Sequence, residues 1–167
     1  MLEKLRGPWL IPIWTILRIW LGVQWLVAGW GKAMGGFDAA VFINGAIGKA
    51  TGDHPAVQGW YAAFLKGFAL PNVELFNFLI AWGEVAVGLG LILGTFTTIA
   101  LFAGAFMNLN FLLAGTVSTN PILFTAAIIL LAMGTAAYAW GVDRYLLPWL
   151  KAYFDDVFNR QGKVTGR

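Results

Sequence analysis

Cysteine is absent from the 167-residue sequence, and histidine occurs once, at His54. The first absence excludes thiol redox chemistry by the chain itself, iron–sulfur ligation and any thiolate zinc site. The second leaves too few soft ligands for a haem or transition metal. No metal, haem or flavin is therefore expected on this chain alone. Charge is also scarce. Only 11% of residues are charged, about half the usual share. The net charge of +3 lacks the basic patch interleaved with aromatics that a nucleic-acid partner would need.

What is present is apolar. Hydrophobic residues make up 59% of the chain, against roughly 45–50% in soluble domains. A soluble domain of this size has too much surface to hide them, which leaves an integral membrane protein. Four apolar runs stand out, at about 9–30, 73–94, 97–115 and 121–140. Each approaches the ~20 residues that cross a hydrocarbon core, and in lipid such spans must be helices. Prolines agree with these limits: Pro12, Pro71 and Pro121 lie at or near run starts, and none interrupts an interior. The first run is too long for a signal-peptide core and is expected to be retained. The expected fold is an all-α four-transmembrane-helix bundle, one membrane domain over 1–167. A partly helical outer loop covers 31–72, and a tail covers 141–167.

Basic residues orient the bundle. Lys4, Arg6, Arg144, Lys151, Arg160, Lys163 and Arg167 fall on one side, and Lys32, Lys49 and Lys66 on the other. That bias predicts both termini in the cytoplasm of a plasma-membrane protein. Trp9, Trp14, Trp30, Trp140, Tyr145 and Trp149 fall near the interfaces, as an aromatic belt does. Within the loop, Pro55–Phe68 reads as a short amphipathic helix capped by Asp53 or His54, either a lipid-surface anchor or a lid over the bundle.

Two ionisable residues lie inside the first two spans, Arg18 and Glu84. Each alone costs roughly 2.5–3.5 kcal/mol in a bilayer centre. The expectation is that they face each other as a charge-assisted pair. Arg18, Gly22, Trp25, Gly29 and Lys32 recur at helical spacing on one stripe, as do Asn77, Glu84 and Gly88 on another. Gly104, Asn108, Phe111 and Gly115 form a third, with Asn110 offset. The predicted polar seam runs through Arg18, Gln24, Glu84 and Asn108, with Lys32 at its outer end. The same residues admit plainer roles: a register pin for the pair, interhelical glue for Asn108 and Asn110, core packing for Trp25.

Arg18 with Gly22, Gly29-x-x-Lys32, Glu84-x-x-x-Gly88 leading to Gly94 and Thr97, Met107–Asn108, Asn120–Pro121 and Gly141-x-Asp143 together resemble the DoxX/DoxD family of small four-span membrane proteins. The long connector before the second span is similar to the DoxD branch. The resemblance implies a membrane subunit linked to redox chemistry, as in thiosulfate:quinone oxidoreductase. Thr97 and Thr98 stand where members often carry a basic residue.

Three functions compete. In the first, the chain is a quinone-linked oxidoreductase subunit with quinone as co-substrate. Glu84 supplies protons, Arg18 stabilises negative charge, and Trp25 walls the ring. Lys32, with Gln24 and Asn108, lines a site for a small sulfur anion such as thiosulfate. In the second, it is a non-catalytic anchor that recruits a soluble oxidoreductase. The third is a small-anion transporter. A second oxidoreductase subunit or another copy of the chain is the expected partner besides the lipid bilayer.

Overall fold

The structure is a computed structural model describing residues 2–165, with side chains from Glu3 to Val157. Arg167, and the side chains of Arg160 and Lys163, therefore lie outside the described residues. Every regular element among those described is helical. In chain order they are α1 (Leu2–Leu5), a 3-10 turn at Pro8–Leu10, α2 (Ile11–Gly35), α3 (Ala39–Gly48) and α4 (Gly59–Phe64). The last runs into a π turn at Leu65–Ala69, and α5 (Val73–Leu93) and α6 (Thr97–Leu113) follow. Next comes α7 (Asn120–Met133), extended by a 3-10 segment at Gly134–Tyr138, and then α8 (Asp143–Thr165).

Among the described residues, three helical stretches are long and apolar enough to cross a membrane: Pro8–Gly35, Val73–Leu93 and Asn120–Tyr138. The apolar α6 is shorter, at 17 residues, and packs between α5 and α7. Large apolar side chains such as Ile16, Val27, Phe78, Ile99 and Phe106 point outward, which is stable only where the surroundings are themselves apolar. The first stretch outruns its expected limit at Trp30 because no breaker intervenes before Gly36. That residue takes φ 73° and caps the helix, with Lys32 in the last turn complementing the helix dipole. Gly94, at φ 66°, ends α5 in the same way.

The closest contact in the fold is between α2 and α5. A Cβ on Gly22 would lie 2.9 Å from the Gly88 carbonyl oxygen, and one on Gly29 would lie 2.6 Å from the Val85 nitrogen. The two backbones therefore touch, and only glycine permits it. These contacts also set the stagger of the antiparallel pair: Gly22 lies opposite Gly88, and Gly29 opposite Glu84 and Val85. The main core gathers Leu21, Trp25, Val87, Leu91, Leu101, Leu130 and Met133 along this seam.

The segment between α2 and α5 has a core of its own. Ala39, Ile43, Val57, Tyr61 and Leu65 pack with Ala114 and lean on Phe76 and Ile80 of α5. The helix expected over Pro55–Phe68 starts only at Gly59, so neither Asp53 nor His54 caps it. The cause is local. The amides of Ala56 and Val57 both donate to the Lys49 carbonyl, at 3.0 and 3.3 Å. They draw a fully buried Val57 into the connector core before the helix begins. Lys49 Nζ then donates to the Gly115 carbonyl at 3.0 Å, fastening the connector to the end of α6.

Candidate functional site

The stagger separates the two expected partners. Arg18 lies ~16 Å along α2 from Gly29, the residue facing Glu84. Arg18 and Glu84 therefore do not pair, contrary to the sequence expectation. The glycine contacts, not position along each span, fix which residues stand level.

Arg18 instead closes one end of the bundle. Its Nη1 donates to the carbonyls of Leu91 and Ile92, the latter at 3.3 Å, and its Nη2 donates to the Trp140 carbonyl at 3.0 Å. These carbonyls include orphans of the last turn of α5, which lack helical partners. Asp143 completes the arrangement. Its carboxylate accepts from the amides of Phe96 and Thr97, both at 2.7 Å. Its own amide donates to the Gly94 carbonyl at 2.8 Å. An anion at the start of α6 is favourable there, and it holds Phe96 at φ 47°, an unusual value for a side-chain-bearing residue. Gly94 and Gly141 are glycines for space: a Cβ on Gly94 would meet Arg18 Nη1 at 2.7 Å. Arg18, Gly94, Thr97, Gly141 and Asp143 thus form one clasp joining four segments.

Glu84 finds a different cation. Lys32 Nζ lies 2.6 Å from Glu84 Oε2, and the side chains are 28% and 2% exposed. The long lysine stem carries the ammonium back from the end of α2, where it also lies 5.9 Å from the Phe37 ring centre. Two further polar side chains are buried on the facing stripes. Trp25 lies across α6, its Nε1 3.1 Å from where a Gly104 Cβ would stand. Asn108 is one turn further along α6. Trp25 Nε1 and both amide atoms of Asn108 have no hydrogen-bond partner among the described residues, and each such group costs about 1–3 kcal/mol unless something else meets it. Gln24 is half-buried and joins neither centre by a hydrogen bond. Of the six expected site residues, the structure brings Lys32 and Glu84 into contact, sets Trp25 and Asn108 on the buried seam, and assigns Arg18 to the clasp.

A third feature escaped the sequence reading. A cavity of about 350 Å³ lies between the connector and α5–α6, lined by Phe42, Tyr61, Phe64, Phe68, Phe76, Phe111 and their neighbours. Tyr61, buried there, donates its hydroxyl to Asn110, with Oδ1 at 3.0 Å and the backbone oxygen at 3.1 Å. Burial pushes the Tyr61 phenol above its ordinary value. The offset of Asn110 from the Gly104–Asn108 stripe was the one sign in the sequence that it faces elsewhere.

Long apolar helices with buried polar groups between them define a small helical membrane protein. A model of the DoxX family matches residues 13–117, and the chain belongs to that family. The matched segment holds Arg18, Lys32, Glu84 and Asn108, whereas Trp140 and Asp143 of the clasp lie beyond it. No curated protein and no solved structure matches the chain.

Proposed function

We propose that the chain is a quinone-linked oxidoreductase subunit of the DoxD type, with α2, α5, α6 and α7 as four plasma-membrane spans and both termini in the cytoplasm. The observation that carries this reading is Glu84. A carboxylate buried at mid-helix, tied to a lysine that reaches the end of the bundle, is costly and marks function in a membrane. Glu84 hands protons to a bound quinone, Lys32 attracts a small sulfur anion such as thiosulfate, and Asn108 and Trp25 offer hydrogen bonds to that anion. Two thiosulfate anions join through a new S–S bond and release two electrons. Quinone takes those electrons with two protons and becomes quinol. Arg18 takes no part, since both its terminal nitrogens bind backbone carbonyls at the other end of α2 from Lys32.

The experiment is turnover in proteoliposomes containing quinone. Glu84→Gln is expected to retain the fold and to lose quinone-coupled thiosulfate oxidation. Unchanged turnover would reject Glu84 as the proton donor. A second reading, an anchor for a soluble oxidoreductase, draws on α8, which presents exposed Tyr145, Trp149, Tyr153 and Phe154 away from the bundle. Co-purification of a soluble enzyme, with no turnover by the isolated chain, would favour it.

A further inference from the structure

We infer that the phenylalanine-lined cavity under the connector is a binding slot for the ring of a lipid-soluble quinone or quinol, entered sideways from the bilayer and hydrogen-bonded by Tyr61 and Asn110. This assignment rests on the proposed redox role only in naming the ring a quinone.

Size is the first argument. At about 350 Å³ the cavity lies near the lower end of the ~300–1,000 Å³ typical of small-molecule sites, enough for a ring but not for a long tail as well. Its rim shows where a tail would go. Phe64, Phe68, Leu79 and Phe106 line the cavity and are 39%, 52%, 48% and 67% exposed. That opening is apolar and faces outward from helices that carry apolar side chains into lipid. A head group can enter while its chain stays among the acyl chains.

Shape and chemistry favour a ring over a second acyl chain. Phe64 and Phe68 stack with ring centres 5.5 Å apart, and Phe76 meets Phe68 edge-on at 6.2 Å. On another wall, Phe42 and Phe111 meet edge-on at 5.9 Å. Such walls offer faces and edges to a flat π-system. An acyl chain has no use for a hydroxyl and an amide on the lining. A ring oxygen does. Tyr61 has one hydroxyl hydrogen, shared between two acceptors on Asn110. Its oxygen therefore keeps lone pairs that accept from a quinol hydroxyl, and its hydrogen can turn to a quinone carbonyl instead. The π turn at Leu65–Ala69 sets Leu65 and Ala69 on this lining, and such turns recur at functional sites.

The slot also lies beside the buried carboxylate. Its lining includes Ile80, one turn before Glu84 on α5, and Met107, next to Asn108 on α6. A ring seated there is close to the proton source without touching the clasp.

The test is photolabelling of the full chain in nanodiscs with a short-tailed azidoquinone, followed by peptide mapping, alongside turnover. Labelling is expected on the segments around Phe64–Phe68 and Phe106–Phe111, and unlabelled short-tailed quinone should compete it away. Tyr61→Phe should weaken binding about three- to tenfold, the loss of one hydrogen bond. Ile80→Trp should fill the slot and abolish labelling. Labelling elsewhere, or labelling that a saturated fatty acid competes equally well and Tyr61→Phe leaves unchanged, would overturn the assignment. Labelling in the slot without any turnover would uphold it and reject the redox role. Turnover with labelling elsewhere would do the reverse.

Discussion

Toward its two ends α2 carries two cations, Arg18 and Lys32, and they are held in opposite ways. Arg18 is 1% exposed and spends its guanidinium on carbonyls of α5 and of the turn before α8. Lys32 is partly exposed, meets one carboxylate, and lies at the end of a seam where Trp25 and Asn108 leave polar atoms unspent. A guanidinium whose two terminal nitrogens both bind main-chain oxygens is held in place, with only its buried Nε left unpartnered. A cation on one flexible stem can exchange partners at little cost. The sequence presents both as ionisable residues in apolar surroundings, and only their partners tell pin from site.

Replacement of Arg18 should break the comparison most severely. Arg18→Met strands several buried carbonyls, so a loss of about 3 kcal/mol or more is expected in chemical unfolding in detergent. Little change would deny the clasp its structural role. Gly29→Val should come next. Its side chain would press on Val85 and Glu84, costing about 1–3 kcal/mol and disturbing the Lys32–Glu84 contact as well as the fold. A smaller loss, about 0.5–2 kcal/mol, is expected when Asp143→Ala removes the cap on α6. Turnover should persist in Asp143→Ala wherever the protein remains folded. The smallest effect on stability belongs to Glu84→Gln, under about 1 kcal/mol, because an amide oxygen still accepts from Lys32. If Glu84→Gln unfolds the protein as readily as Arg18→Met does, the contrast between the two ends disappears.

Much of the helical layout was legible because local chemistry decides it. Gly94 and the polar break after it mark the end of α5 whatever the surroundings, and Asn120–Pro121 opens α7 as it stands in the sequence. The importance of Arg18 and Glu84 was legible too, because lipid makes any charge expensive. Their partners were not. Pairing depends on the stagger of two helices, and that stagger follows from which glycines let the backbones meet. Lys32 was read as the mouth of the seam rather than as Glu84's counter-ion because the reach of its stem is invisible in spacing. Asp143 was noticed only within a family motif, since nothing in the sequence says that a residue after the last span turns back to cap α6. The aromatic slot draws its walls from four separate stretches, so no single window of sequence contains it. The connector helix was placed too early because a proline after Asp53 and His54 mimics a helix start, whereas the burial of Val57 forbids one there.

The Trp140 oxygen that receives Arg18 lies 122 residues downstream of it. During synthesis the arginine therefore emerges long before the last of its acceptors has been made, although those on α5 come sooner. The early chain must keep that guanidinium near headgroups or water, and the bundle can lock only after its final crossing emerges. Quality control that cleaves half-made chains would find a cation with one terminal nitrogen unmated as its signal, and a truncation before Trp140 should be degraded even though most of its helices are intact.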